Sequence, residues 1–305
     1  MAIDKKYLVE CIAALPPATA NQLQKELSRH FDKCGLFYRI FSRCKSASST
    51  VKKLSEKEAK YQLEGKKMQD LLGVRVALYF KDDIDLCLSI VKANYDVLEI
   101  VQDPEERDTF RPMRLNIVCR MPEHIIRLFD TNLWKFPIDT TFEIQIRTIF
   151  SEGWHEVEHD LRYKHKSDWE PYPELSRNLN GIFATLETCD WTILSVLNEL
   201  AYRKYKEKDW DAMLRTHLRI RLISSSISPK ISEIFSSAPN LAKEFFRVDR
   251  AKLLLYLSNS NFPSAPLTLD NLIYITNILI IKNEDLLDIT PNILKDRVEK
   301  YLLAN

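Results

Sequence analysis

Glycine is scarce in this chain, and its placement restricts the folds that the chain can adopt. Among 305 residues only Gly35, Gly65, Gly73, Gly153 and Gly181 occur. Loops that bind phosphate through backbone N–H groups need glycines at fixed short spacing, as in GxxxxGK[ST] or GxGxxG. Neither pattern can be formed from these five positions. The sequence therefore excludes the P-loop and the dinucleotide-binding loop, so a phosphate site must use Arg and Lys side chains and a metal.

The composition is that of a globular protein without a strong overall charge. Lys and Arg total 44 against 43 Asp and Glu, and hydrophobic residues make up 45%. This balance gives no general basic field for nonspecific nucleic-acid binding. The six cysteines are scattered without CxxC spacing, which favours reduced thiols over disulfides or a zinc site. With no apolar N-terminal segment and no run of ~18 apolar residues, we expect a soluble, cytoplasmic protein without a membrane partner.

The first half alternates helical and strand patterns. The spacing predicts a helical stretch from about Asp4 to Phe41, broken at Pro16–Pro17, and a helix over 83–93. Buried or alternating strands are predicted over 71–80, 97–101, 115–121 and 142–147. In the last of these Phe142, Ile144 and Ile146 share one face, opposite Glu143, Gln145 and Arg147.

Beyond residue 148 the pattern is almost entirely helical. One helix carries an expected apolar stripe of Phe150, Trp154, Val157 and Leu161. After a proline-containing connector, a second apolar face is expected at Trp191, Leu194, Val196, Leu197 and Leu200. The run Asn271–Ile281 is too short to span a bilayer and predicts a buried core helix. We predict an α+β domain over 1–222 and a separate helical module over 223–305.

Two acidic residues stand where a sheet can present them to a cleft. Asp70 directly precedes a predicted buried strand, and Glu143 lies on the polar face of another. Such carboxylates could hold Mg²⁺, and one could also accept a proton from an attacking hydroxyl. The alternative is that Glu143 and Arg147 form the solvated side of an antiparallel strand.

A basic segment with hydroxyl side chains precedes these carboxylates. Arg43, Lys45 and Lys53, with Ser46 and Ser49 between them, fall within eleven residues. Phosphoryl and pyrophosphoryl transfer depend mainly on neutralising charge and positioning the reactants, which Arg, Lys and Mg²⁺ can supply. The alternative is a solvated helix start with serine as its N-cap.

Together these segments resemble the RelA/SpoT alarmone synthetase domain. The motifs, in order, are RxKSxxSxxxK from Arg43, DLLGVR from Asp70, EIQIRT from Glu143, and Trp154 with Glu158-His159 and Arg162-Tyr-Lys164. The resemblance covers roughly residues 40–165. It implies a mixed β-sheet, nucleotidyltransferase-like α+β domain flanked by helices, which moves the β,γ-pyrophosphate of ATP to a ribose 3′-hydroxyl.

The resemblance also implies roles for individual residues. Arg43 and Arg75 would sandwich the adenine of ATP, while Lys45, Ser46, Ser49 and Lys53 would grip its phosphates. Asp70 would bind Mg²⁺, and Glu143 would share the metal or deprotonate the acceptor hydroxyl. Gln145, Arg147, His159 and Lys164 would lie on the acceptor side.

The acceptor segment departs from the family pattern. The family has Tyr-x-x-x-His, whose Tyr stacks on guanine, whereas this chain has Phe110 and Arg114, or in a register shifted by two Pro112 and Asn116. GDP or GTP is the acceptor implied by the family. An adenine nucleotide or the 3′ end of tRNA is the second hypothesis, and a non-catalytic nucleotide sensor is the third.

His155-Glu156-Val-Glu-His159 matches the HExxH pattern of zinc proteases. No third ligand follows at the usual spacing, and the synthetase resemblance already accounts for Glu158 and His159. We therefore expect His155 to bind no metal.

The helical module over 223–305 carries no recognisable chemistry, and it is a candidate for self-association or for binding a regulatory protein partner. No His-Asp hydrolase pattern occurs before residue 40, so we expect synthesis without hydrolysis.

Overall fold

The protein is described by a computed structural model covering residues 5–13, 18–57, 59–102 and 115–304. The strands are β1 Tyr38–Cys44, β2 Leu72–Leu78, β3 Val97–Gln102, β4 Leu115–Arg120 and β5 Thr141–Thr148. The helices are α1 Lys5–Ala13, α2 Ala18–Cys34, α3 Ala47–Glu56, α4 Asp83–Asn94, α5 Glu123–Ile126, α6 Ile149–Val157, α7 Lys166–Trp169, α8 Pro173–Glu207, α9 Trp210–Leu218, α10 Pro229–Ser237, α11 Pro239–Phe246, α12 Arg250–Ser258, α13 Leu269–Thr276, α14 Glu284–Ile289 and α15 Asn292–Ala304. A 3₁₀ helix covers Thr131–Lys135, and π-helical turns cover Glu158–Tyr163 and Asn277–Ile281.

The five strands form one mixed sheet in the order β1-β2-β5-β4-β3. Strands β2 and β5 pair in parallel, and the other three pairs are antiparallel. Beyond residue 148 the described chain has no strand and consists of helices and their connections. This arrangement confirms the predicted α+β class, with a mixed sheet, flanking helices and a helical C-terminal region.

The central strands have one apolar and one polar face, as their sequence alternation predicts. Val74 and Val76 in β2, and Ile144 and Ile146 in β5, are buried. The polar side chains between them, such as Gln145, lie on the opposite face and are only partly buried. The predicted strands and the helix over 83–93 are confirmed to within about two residues.

The prediction of helix through Phe41 was wrong, because the chain turns into a strand at Tyr38. Helix α2 ends at Cys34, and Gly35 follows with φ of +72°. The N–H of Leu36 then donates to the carbonyl oxygen of Phe31 at 3.1 Å, which closes the helix end. A glycine in the left-handed conformation is a common helix stop, so Gly35 was the available sequence signal.

The predicted apolar stripe of Phe150, Trp154, Val157 and Leu161 was also wrong. Trp154 is buried, whereas Val157 is 47% exposed and Leu161 is 62% exposed. Regular α-helix stops at Val157, and the π-helical turn Glu158–Tyr163 follows. A π turn takes more residues per turn than an α-helix, so the 3–4 spacing does not keep Leu161 on the face of Trp154.

The chain forms two compact units that interleave along the sequence. One comprises the described residues of Met1–Ser28, Tyr38–Tyr79 and Val91–Ala184, and contains all five strands. The other comprises Arg29–Phe37, Phe80–Ile90 and the described part of Thr185–Asn305. These units are defined by compactness in space, and the domain boundary at residue 222 stays a prediction made along the sequence.

In the second unit the buried core helix predicted over Asn271–Ile281 is confirmed. The apolar face predicted for α8 is not. Residues 272–278 are all buried. On α8, Leu194 is buried, but Trp191, Val196 and Leu200 are exposed. The buried side of α8 instead joins Leu194 with Asp190 and Ala201, two residues that the apolar spacing alone did not single out. Among the described residues, no helix combines the length and the apolar character needed to cross a membrane.

A buried ion pair fastens the start of α4 inside the second unit. Asp83 is fully buried, and its carboxylate accepts hydrogen bonds from Arg250 at 2.5 and 3.3 Å. The same guanidinium donates to the carbonyl oxygens of Leu218 and Arg219 at 2.5 and 3.3 Å. Arg250 therefore joins α4, the end of α9 and the start of α12.

Replacing Asp83 with alanine should destabilise the protein strongly, because it leaves the buried guanidinium of Arg250 without its counter-charge. We expect the free energy of unfolding in urea to fall by about 3–5 kcal/mol. Asp85→Ala, which removes an exposed carboxylate from the same helix turn, should cost about 1 kcal/mol or less. The double variant Asp83→Ala/Arg250→Met should recover part of the loss, and equal stability of Asp83→Ala and Asp85→Ala would contradict this account.

Candidate active site

Strand register places the predicted site residues that belong to strands on one polar face of the sheet. Gly73 of β2 lies between Arg43 of β1 and Glu143 of β5. One pleat along, Arg75 lies beside Gln145, which pairs in turn with Asn116 of β4. Directly paired residues share a face of the sheet, so segments far apart in sequence present their polar side chains together.

Asp70 is held between two lysines at the start of β2. Lys45 and Lys53 donate to its Oδ2 at 2.9 and 2.7 Å. Burial by itself would raise the pKa of Asp70, but the hydrogen bonds from Lys53 and Lys45 outweigh it and hold the pKa below its ordinary value. Its other oxygen, Oδ1, is buried and has no hydrogen-bond partner. Asp70 is therefore a carboxylate with one oxygen neutralised and one oxygen available.

The two lysines are positioned by adjoining elements. Lys45 follows β1, and its backbone N–H donates to the carbonyl oxygen of Leu71 at 2.8 Å. Lys53 lies on α3, whose N-cap is Ser46; the Ser46 Oγ accepts from the backbone N–H of Ser49 at 3.2 Å. The N-cap role of Ser46 was the structural alternative for this segment, and it leaves both serine hydroxyls exposed at the helix start.

Glu143 is held differently, by two neutral amides. Asn116 Nδ2 donates to its Oε1 at 2.8 Å, and Gln145 Nε2 donates to its Oε2 at 3.0 Å. Within the described residues Glu143 forms no ion pair. The Oδ1 atom of Asn116 is buried and has no hydrogen-bond partner. The amides orient this carboxylate without neutralising it, which suits a metal ligand or a general base.

A network of charged side chains extends from Gln145. Its Oε1 accepts from Arg75 Nε at 3.3 Å. Arg75 Nη1 also pairs with Glu156 and, at 2.5 Å, with Oε1 of Glu152. The second oxygen of Glu152 accepts from Arg147 Nη1 at 2.9 Å. Neither Glu152 nor Glu156 was among the predicted site residues, although their spacing of four residues on a helix directly after β5 was the available signal.

His159 and Lys164 are paired with a third residue on their own segment. His159 Nδ1 and Lys164 Nζ lie 2.9 and 2.6 Å from the same Oδ1 of Asp160. The His159 ring stacks between those of His155 and Tyr163, at centroid distances of 6.0 and 5.7 Å. These contacts do not join His159 or Lys164 to the strand residues. Phe110 and Arg114 lie outside the described residues.

The HExxH residues lie among arginines. Glu156 is paired with Arg75. Burial first, and then the charges of Arg147 and Arg75, lower the pKa of His155 to about 4. Two guanidinium groups beside the ring oppose a divalent cation there. Among the described residues, no group of three or more His, Cys, Asp or Glu side chains is arranged to hold a metal ion.

One family model matches the part of the chain that contains this site. Residues 42–168 match the model described as "Region found in RelA / SpoT proteins". This segment is similar to the RelA/SpoT region. It includes Arg43, Asp70 and Glu143, and all of the interactions described above.

Individual proteins are similar to this chain over part of its length. The chain is 32% identical over 132 residues to the GTP pyrophosphokinase YwaC of Bacillus subtilis (strain 168), which covers 42% of this chain. The matched part spans 59% of the length of that relative. Among solved structures, small alarmone synthetase 2 of Bacillus subtilis is similar at 26% identity and a TM-score of 0.43, over 59% of this chain and 90% of that one. A GTP pyrophosphokinase family protein of Streptococcus pneumoniae is 18% identical with a TM-score of 0.44, over 63% of this chain and 92% of that one.

The pKa of His155 gives a direct check on this electrostatic environment. We expect its ring to titrate near pH 4 in the folded protein, well below its ordinary value of 6.5, when followed by NMR. Because folding favours the neutral ring, its stabilising contribution is complete above about pH 6.5 and falls as the pH drops toward 4. Arg147→Met should raise the midpoint, and a midpoint at or above 6.5 in the unaltered protein would contradict the geometry.

Proposed function

We propose that this chain transfers the β,γ-pyrophosphate of ATP to the 3′-hydroxyl of a nucleotide, most simply GDP or GTP. The observation that carries the proposal is the pair of unlike carboxylates at β2 and β5. Asp70 is held by Lys45 and Lys53, and Glu143 is held by Asn116 and Gln145. The RelA/SpoT region and the relative named as a GTP pyrophosphokinase support the same chemistry.

ATP binds on the side of β1 and α3 in this proposal. Lys45 and Lys53 neutralise the phosphates, together with the hydroxyls of Ser46 and Ser49 at the start of α3, where helix N–H groups favour anions. Arg43 and Arg75 enclose the adenine. These roles are those of the family motifs, and they use the cations that a chain without phosphate-binding glycine loops must supply.

Asp70 and Glu143 are the residues that fit Mg²⁺. The fit rests on the Oδ1 of Asp70, a buried carboxylate oxygen with no hydrogen-bond partner, and on the absence of an ion pair at Glu143 within the described residues. Both are the oxygen ligands that Mg²⁺ prefers. The two carboxylates would hold Mg²⁺, which would supply neutralisation of the charge that develops during transfer.

Glu143 is the general base in this mechanism. The acceptor 3′-oxygen forms a bond to the β-phosphorus of ATP while the bond from the β-phosphorus to the α,β-bridging oxygen breaks, and AMP leaves. The hydroxyl proton passes to the carboxylate of Glu143, which Asn116 and Gln145 hold in a fixed orientation. The acceptor then lies on the side of Asn116, Gln145 and Arg147. His159 and Lys164 match family positions on that side, and Phe110 and Arg114 stand where the family has its Tyr and His.

The positive charge next to the ATP-binding part of the site favours a second class of acceptor. Between residues 39 and 67 the sequence has nine Lys and Arg against three Glu, a net charge of +6 in a chain whose total is +1. Lys52, Lys57, Lys60 and Lys66 of this basic segment are exposed. A polyanion such as the 3′ end of tRNA is held mainly by such phosphate contacts, whereas a free nucleotide needs few of them. The basic segment therefore favours tRNA over an adenine nucleotide as the second acceptor, and over a sensor that binds nucleotides without catalysis.

Replacing Glu143 with glutamine should abolish transfer, because the amide cannot accept the hydroxyl proton. We expect AMP release from ATP in the presence of acceptor to fall by about 100-fold or more. Glu123→Gln, which neutralises an exposed carboxylate on α5, should release AMP at the unaltered rate. Equal AMP release by the two variants would contradict the assigned mechanism, and no AMP release from the unaltered protein with any acceptor would favour the sensor.

Reversing charge in the basic segment should separate the two acceptor classes. In the variant Lys60→Glu/Lys66→Glu we expect transfer to tRNA to fall severalfold and to become less dependent on salt, because two phosphate contacts are lost. Transfer to GDP should change little. Lys230→Glu/Lys300→Glu, equal in charge but distant in sequence, is the control; equal losses in both variants would remove the nucleic-acid acceptor from consideration.

A further inference from the structure

Two arginines stand side by side on the polar face of the sheet. Arg75 of β2 pairs in register with Gln145, and Arg147 lies two residues farther along β5 on the same face. Arg147 is only 5% exposed, and burial first, then the charge of Arg75, lower its pKa against the opposing effect of Glu152. Like charges this close repel each other, so the pair needs a shared counter-ion.

Glu152 is that counter-ion, and the fold fixes its place. One carboxylate oxygen accepts from Arg75 at 2.5 Å and the other from Arg147 at 2.9 Å. Helix α6 begins directly after β5 with Thr148 as its N-cap, so Glu152 falls in the first turn of the helix, above the end of the strand that carries Arg147. Its side chain is only 11% exposed. Glu152 is therefore held by one arginine at each of its two carboxylate oxygens.

The contacts of Arg75 all lie along the edge of its guanidinium group. Its Nε donates to Gln145, and its Nη1 donates to Glu152 and Glu156. A guanidinium donates hydrogen bonds in its own plane and stacks on aromatic rings through its flat face. With its edge held by three acceptors and its side chain partly exposed, Arg75 has a fixed plane whose face can receive a ring.

We infer that Glu152 is a positioning residue that fixes the plane of Arg75 for stacking on the nucleobase of ATP, and that it does so by sharing its carboxylate with Arg147. The inference rests on the proposed function in one respect, which is that the nucleobase is taken to be that of ATP. Glu156 also contacts Arg75, but it is 52% exposed, and among the described residues it forms no ion pair with Arg147. It offers a matched carboxylate on the same helix face, one turn away.

The test compares a ligand that has a base with one that has only phosphates. The probes are the ATP analogue AMPCPP and inorganic tripolyphosphate, each titrated with Mg²⁺ by calorimetry against Glu152→Gln and Glu156→Gln. We expect Glu152→Gln to weaken AMPCPP binding about tenfold, a loss of the size expected for a cation–π contact, and to leave tripolyphosphate binding unchanged. Glu156→Gln, which leaves the Glu152 bridge between Arg75 and Arg147 intact, should weaken AMPCPP binding less than Glu152→Gln does and should leave tripolyphosphate binding unchanged.

The double variant Arg147→Met/Glu152→Gln covers the case in which a buried unpaired arginine prevents folding. It removes that charge, and it should show the same selective loss of AMPCPP binding. Unchanged AMPCPP affinity in a folded Glu152 variant, or equal loss for both probes, would overturn the positioning role. Failure of the unaltered protein to bind AMPCPP would instead contradict the proposed function, and the base-binding role with it.

Discussion

The parallel pairing of β2 with β5 is the interaction on which the candidate site depends. The two strands come from segments about seventy residues apart, and their register sets Gly73 beside Glu143 and Arg75 beside Gln145. A shift of one residue would turn these polar side chains into the core and bring Val74 or Ile144 to the surface. The alternation that buries Val74, Val76, Ile144 and Ile146 therefore also fixes which carboxylate, amide and guanidinium groups meet on the opposite face.

The scarcity of glycine explains the chemical character of that face. A chain without a glycine-rich loop has no backbone loop that surrounds phosphates with N–H groups. The positive charge of a phosphate site must then come mainly from Lys and Arg side chains, and these side chains pair with carboxylates. Lys45 and Lys53 share Asp70, and Arg75 and Arg147 share Glu152. Glu143 differs because neutral amides hold it. Within the described residues, Glu143 is thus a site carboxylate without a cationic partner, which suits a base or a metal ligand.

Sequence patterns were reliable where one local rule decides the outcome. The alternation of Phe142–Arg147 gave the strand and its two faces, and the serine-rich segment after β1 gave a helix capped by Ser46. The sequence patterns were wrong where the backbone geometry of a neighbouring segment decides which side chains are buried or where a helix ends. The π-helical turn after Val157 moved Leu161 out of the predicted stripe, and Gly35 ended α2 before Tyr38. The partners of Arg75 were not identified because Glu152 and Glu156 meet it only through the crossing of α6 over the sheet.

The measurement that tests the central claim most directly follows the β-phosphate of ATP. Purified protein with Mg²⁺ and ATP labelled at the β-phosphorus is offered GDP, GTP, ADP, ATP and bulk tRNA in separate reactions. A pyrophosphotransferase moves the β- and γ-phosphates as one group, so the label should appear on an acceptor and unlabelled AMP should form in equal amount. Label retained in ADP while γ-phosphate is transferred, or no AMP with any acceptor, would contradict the account.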